Sequence, residues 1–188
     1  MLIHQPSSRM HRIGLSSLVV DRLAAGLGHD LDDGYHYLRR ITAGDGAPID
    51  AVVVGRGGTW TITLSHERGR FLKRNGHWYR WNASTESWVP WAAETITAAR
   101  LAGHRLERHL EQVGVPAAVE PLLFVSREMQ VECERGERAG VEVEDDLKRL
   151  SARIGREERL TAAQVDRIVT LLDPRQPLPR LATSTPRG

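Results

Sequence analysis

Apolar positions along the chain switch between helical and strand spacing in blocks punctuated by Gly, Pro and Asn. Leu15, Leu18, Val19 and Leu23 share one face of a helix expected over residues 15–27, with Gly26 and Gly28 ending it. Tyr35 to Ile41 alternates as a strand, and the loop Ala43-Gly44-Asp45-Gly46 leads into an apolar run from Ile49. That run reverses at Gly55 to Gly58 and returns through alternating Trp60, Ile62 and Leu64, which predicts a β-hairpin with Asp50 at its opening. A second hairpin, Arg70 to Trp81, turns at Asn75-Gly76. Trp88 to Trp91 leads into a long helix over 92–112, with Ala99, Ala102, Leu106, Leu110 and Val113 inward and Gly114 and Pro116 stopping it. Glu120 to Ser126 reads as a buried strand and Met129 to Glu134 as an exposed one. From Val143 a helix turns Leu147, Leu150 and Ile154 inward, its acidic start and basic end matching the helix dipole.

The last helix carries the fullest start signal. Thr161 and Gln164 form a capping box, Leu160 and Val165 sit where a hydrophobic staple would place them, and Asp173-Pro174 ends the helix. Val165, Ile168, Val169 and Leu172 form its buried face. Residues 1–13 and the Pro-rich residues 175–188 are expected to be flexible, leaving one domain over 14–174. No internal repeat interrupts that reading.

Composition narrows the class. In 188 residues, 40% are hydrophobic and 27% charged, enough for one well-buried domain. One cysteine, Cys133, precludes an intramolecular disulfide and a Cys-based zinc site, which favours a reducing compartment. The N-terminus lacks an apolar signal core and no run is long enough to span a bilayer, so a cytoplasmic protein with no membrane partner is expected. The net charge is only +2, yet five Lys or Arg between His66 and Arg80 face a single acid, and Glu128 to Asp146 holds eight acids against two arginines. That partition predicts separate basic and acidic lobes.

The candidate chemistry gathers on the first hairpin. Pairing of its strands would bring position 63 near Asp50, and residues 63 and 65 share a face because strand side chains alternate. The whole segment, IDAVVVGRGGTWTITLS, resembles the central motif of the nuclease-related domain, NERD, a branch of the PD-(D/E)xK endonuclease-like proteins. That motif reads Ile-Asp, an apolar strand, a Gly-rich turn, then a strand bearing an acid and, two residues on, a lysine. The likeness extends over residues 14–174: the first helix, the strand after Gly34-Tyr35, the core hairpin, the aromatic hairpin, the long helix and the closing helix follow in the family's order. It implies a restriction-endonuclease-like α/β fold, a mixed central β-sheet flanked by α-helices.

The departures fall on the site. Only Asp50 matches: Thr63 takes the acid position and Ser65 the lysine position. Leu15-Ser16 stand where the family has a first-helix glutamate, and Thr95, Ile96 and Thr97 where it has a glutamine on the long helix. Such a nuclease needs converging carboxylates to hold Mg²⁺, which dehydrates reluctantly and takes oxygen ligands, and a lysine to steady developing charge. One carboxylate with two hydroxyls is a poor site. The resemblance therefore implies an inactive relative, with Asp50 a weak metal position or none and no cofactor expected. The enzyme alternative is a divergent DNA endonuclease using Asp50 with His66 or Glu67 and Mg²⁺ or Mn²⁺, although Glu67 lies about 13 Å beyond Thr63 along an extended strand. The plain structural reading gives Asp50 a hydrogen bond to the 43–48 loop and makes Thr63 and Ser65 ordinary strand residues.

A binding surface is expected on the second hairpin. Arg68, Arg70, Lys73, Arg74 and Arg80, with Trp78 and Tyr79, form a cationic surface with aromatic faces suited to nucleic acid, while packing is the commoner fate of such aromatics. The resulting expectation is a degenerate nuclease-related domain that binds nucleic acid or a protein partner in DNA processing or defence. DNA and a protein are the candidate partners.

Overall fold

The computed structural model describes Val19, residues 21–43 and residues 47–172. In chain order the elements are α1 (residues 21–30), β1 His36–Ile41, β2 Ile49–Gly55, β3 Gly58–Ser65, β4 Gly69–Arg74, β5 His77–Asn82, β6 Ser87–Pro90, α2 Glu94–Gln112, β7 Val119–Val125, β8 Met129–Cys133, β9 Glu142–Glu144, α3 Leu147–Ile154 and α4 Ala162–Leu172. The expected flexible segments 1–13 and 175–188, the start of the first helix, the glycine loop at 44–46 and the Asp173-Pro174 stop lie outside the described residues.

A five-stranded mixed sheet, ordered β1-β2-β3-β7-β9, forms the centre. Beyond Asp50, its strand β2 is apolar because both faces are covered. Val52 and Val54 join Leu106 and Leu110 of α2 and Val165, Ile168 and Val169 of α4 in one core cluster. Ala51 and Val53 join Leu23 and Leu27 of α1 and Leu150 and Ile154 of α3 in another. The architecture is thus mixed α/β, with a mixed sheet between helices, as expected from the sequence.

A second, four-stranded sheet is ordered β6-β5-β4-β8. It is joined to the first by two strands that cross over together. In the parallel β3–β7 pair Ser65 lies opposite Val125, and in the parallel β4–β8 pair Gly69 lies opposite Met129, so both pairs share one register. A single two-strand ribbon therefore runs through both sheets and bends between them. Gly69, at φ 114, supplies the left-handed backbone needed at the bend.

Several elements depart from expectation. α1 continues through Gly26 and Gly28 instead of ending there. A Cβ on Gly26 would lie 2.6 Å from Leu147 Cδ1, so this glycine allows close helix packing rather than stopping the helix. The short strands β6 and β9 had no pattern of their own and exist through pairing, Trp88 with Trp81 and Val143 with Leu123. Val113, expected inward, is 41% exposed because the helix has already ended at Gln112. The Asn75-Gly76 turn is as read: both residues have positive φ, 49 and 77, and Arg74 pairs with His77 across it. The capping box also forms, with Thr161 N donating to Gln164 Oε1 at 2.9 Å and Gln164 N to Thr161 Oγ1 at 3.4 Å.

Candidate functional site

The antiparallel register sets Ala51 opposite Ile62, and its continuation sets Asp50 opposite Thr63. Asp50 Oδ2 accepts a hydrogen bond from the Leu64 backbone N–H at 3.0 Å. This partner lies on the neighbouring strand, while residues 44–46 of the loop expected to bond Asp50 lie outside the described residues. Burial pushes the Tyr37 phenol well above its ordinary pKa range; Arg39 opposes that shift, and Asp50 adds to it through its negative charge.

Ser65 is not presented to solvent. It is 5% exposed, its hydroxyl donates to Met129 Sδ at 3.2 Å, and it accepts the Glu67 backbone N–H at 3.2 Å. The lysine position of the family motif therefore faces the ribbon's bend. Glu67 is half-buried and its carboxylate accepts the Thr95 hydroxyl from the first turn of α2, while His66 is exposed. Thus the end of β3 gathers Asp50, Thr63, Ser65, Glu67 and Thr95, and leaves His66 outside. Ile96, another of the long-helix positions, is buried in a third core cluster with Phe71, Leu123 and Val125. Among the described residues no group of three His, Cys, Asp or Glu side chains could hold a metal ion.

The expected separation into basic and acidic lobes is overturned. Strand β8 pairs with β4, which lays the acidic segment directly beside the basic hairpin. Arg68 meets Glu128 at 2.7 Å, Arg70 meets Glu132 at 3.8 Å, Lys73 meets Glu137 at 3.6 Å and Arg74 meets Glu134 at 3.2 Å. Lys73 also donates to the Arg138 carbonyl at 2.6 Å and its side chain is only 20% exposed. Taken together, the hairpin segment from His66 to Arg80 and the segment Glu128 to Asp146 carry two more acids than bases. Four of the hairpin's five cations are thus paired with carboxylates brought alongside by the β4–β8 pairing. These glutamates are the residues that the sequence reading left out of the site, since nothing in the local pattern reveals a parallel pairing of strands so far apart.

The hairpin's aromatics divide between two faces. Trp78 is half-buried, edge-on to Trp91 at a centroid distance of 5.9 Å and packed with the cluster around Phe71. Arg80 shares that face, its guanidinium 5.7 Å from the Phe71 ring and donating to the Arg68 carbonyl at 3.2 Å. On the opposite face the register places Leu72 beside Tyr79 and Trp81 beside Trp88. Trp81 and Trp88 stand 5.4 Å apart, with the Arg70 guanidinium 5.8 and 5.6 Å from their rings. Tyr79, Trp81 and Trp88 are half-buried and belong to none of the three core clusters.

No protein-family model matches the chain. No curated protein matches it either. Among solved structures, the crystal structure of a repair endonuclease from Pyrococcus abyssi overlaps it with a TM-score of 0.30 and 10% sequence identity, covering 80% of this chain and 44% of that one. The chain spans less than half of that protein's length, and an overlap this loose carries no weight for shared chemistry. No described helix is long and apolar enough to cross a membrane.

Proposed function

We propose that the protein is a catalytically silent, restriction-endonuclease-like domain of the nuclease-related kind, serving as a protein-interaction module through the outer face of its second sheet. The observation that carries this reading is the neutralised hairpin: four of its cations are paired with carboxylates of the adjacent segment, while Tyr79, Trp81, Trp88 and Arg70 form a half-exposed aromatic face. Phosphate recognition depends on unpaired Lys and Arg that displace counterions, and here those groups are spent on glutamates. Tyr, Trp and Arg on a rigid sheet are instead the residue types that dominate protein interfaces. Silence of the nuclease site is supported by Asp50, whose carboxylate holds the Leu64 amide opposite neutral Thr63. DNA processing or defence is the setting the family resemblance implies.

The test compares wild type with Trp81→Ala/Trp88→Ala in quantitative affinity capture, beside anisotropy titrations on single-stranded DNA, duplex DNA and RNA at low salt. A protein partner lost in the variant, with weak nucleic-acid binding in both, supports the proposal. Tight wild-type binding to any nucleic acid that the variant loses would transfer the aromatic face to base stacking and overturn it.

A second reading is favoured by Glu67. Its backbone N–H on Ser65 and its carboxylate on Thr95 bring it to the same end of β3 as Asp50. On that reading the two carboxylates form a divergent Mn²⁺ or Mg²⁺ site for DNA cleavage. Plasmid and linear DNA assays with either metal decide it: cleavage abolished by both Asp50→Ala and Glu67→Gln would establish the enzyme.

A further inference from the structure

Strand pairing writes the outer face of the second sheet in cross-strand rows. Glu132, Leu72, Tyr79 and Pro90 lie side by side across β8, β4, β5 and β6, and Trp81 lies beside Trp88 two residues along. The Arg70 guanidinium stands over both indoles. The other face is closed, because Phe71 and Trp78 pack there with Ile96 and Ala99 of α2. The aromatic rows therefore look away from α2. Tyr79, Trp81 and Trp88 are half-buried, and their phenol and indole donors make no hydrogen bond among the described residues.

Flat rings with free donors on a rigid sheet suit a ligand that brings apolar surface and backbone acceptors but few backbone donors. A polyproline II segment has that chemistry: proline lacks an N–H, the carbonyls make no bonds within the helix, and the conformation is largely set before binding. Charge narrows the ligand further. The hairpin and its acidic neighbour together carry two more acids than bases, and the exposed Glu132 ends the row that holds Tyr79. A proline-rich segment bearing arginines is complementary to such a face.

This chain contains one. Pro174-Arg175-Gln176-Pro177-Leu178-Pro179-Arg180 holds three prolines and two arginines with no acid. At three residues per polyproline turn, Pro174 and Pro177 would share one edge. The chain's own segment is tethered on the wrong side. Leu172 is buried in the cluster that joins α4 to α2, and the two residues from there to Pro174 span at most about 7 Å. A second copy has no such tether.

We propose that the aromatic face docks residues 174–180 of a second copy of this chain, held as a polyproline II helix across Tyr79, Trp81 and Trp88. This rests on the reading of that face as a protein-docking surface, and names its partner. The indole N–H signals of the full chain in ¹H–¹⁵N spectra test it, with Trp81 and Trp88 assigned by their Trp→Phe variants and molecular mass followed by sedimentation over the same dilution series. Both signals are expected to move with protein concentration as the mass rises above that of a monomer, while the signal of Trp60, 4% exposed in the central sheet, stays in place. Pro177→Ala/Pro179→Ala should abolish both changes, and adding a peptide of residues 174–180 to that variant should move the Trp81 and Trp88 signals saturably. Signals independent of concentration, a concentration dependence that survives the proline substitutions, or a peptide without effect would each overturn self-docking. The docking reading itself would still stand or fall by affinity capture with Trp81→Ala/Trp88→Ala, so the two failures are distinguishable.

Discussion

Asp50 sits where a metal ligand and a structural acceptor compete for one carboxylate. Its hydrogen bond to the half-buried Leu64 amide gives the structural role a measurable size. Asp50→Ala should lower stability by about 1 kcal/mol in urea denaturation, the worth of one such bond. Calorimetric titration of wild type should show no saturable Mg²⁺ site at low millimolar metal, because Thr63 adds no charge opposite Asp50; an Asp50-dependent site in that range would restore the nuclease reading. The two substituted motif positions should also behave differently. Thr63→Asp places a second carboxylate across from Asp50 on a half-buried strand position and should strengthen Mn²⁺ binding. Ser65→Lys forces an ammonium into a site 5% exposed against Met129 and should cost about 3 kcal/mol or more.

Among the elements, the second hairpin turn and the start of α3 are held by named local contacts, although the helix start expected at Val143 is corrected: Val143 pairs in β9 and the helix begins at Leu147. Gly76, at φ 77 in the hairpin turn, should lose about 1 kcal/mol when replaced by alanine, the penalty for a Cβ in the left-handed region. Helix α3 starts at Asp146, whose carboxylate accepts the Lys148 and Arg149 amides at 2.9 and 3.1 Å. The Arg149 amide bond, with that of Lys148 and the charge of Arg149 and Arg127, holds its pKa below the usual carboxylate value, against a smaller opposing effect of desolvation. A depressed folded-state value means the contribution is whole above the unfolded pKa, about 3.9, and is lost as pH falls through the lower folded value. Denaturation midpoints measured from neutral pH downward should therefore fall less steeply below about pH 4 in Asp146→Ala than in wild type.

For the molecule as a whole, the fold matches charges that the sequence keeps apart. Wild type should bind duplex DNA with a salt slope far shallower than five phosphate contacts would give, at about −0.9 per contact. Removing the partners should expose the cations: Glu132→Gln/Glu134→Gln/Glu137→Gln is expected to tighten DNA binding and steepen the log–log slope by about 2 to 3. Slopes and affinities indistinguishable between the two proteins in anisotropy titrations would mean that the pairing with β8 is not what masks the hairpin. The central sheet carries a core cluster on each face, α4 in one and α1 in the other, and its strands join the two, so these surface changes should leave the unfolding transition cooperative.

Local signals determined a good part of this protein. The Asn75-Gly76 turn, the Thr161–Gln164 capping box, the doubly buried β2 and the inward faces of α2 and α4 follow from period, turn chemistry and capping, which act over a few residues. The alignment of Asp50 with Thr63 was legible for the same reason, since a tight hairpin sets its own register. What tertiary structure alone decided involves strands distant in sequence. The shared parallel register of β3–β7 and β4–β8 put glutamates against the arginines, buried Ser65 under Met129 and gave β9 its place. The close approach of α3 turned Gly26 from a helix stop into a packing site. Parallel pairing across a long connection leaves no local mark, because its register is set by how two apolar faces close on a common core rather than by a turn.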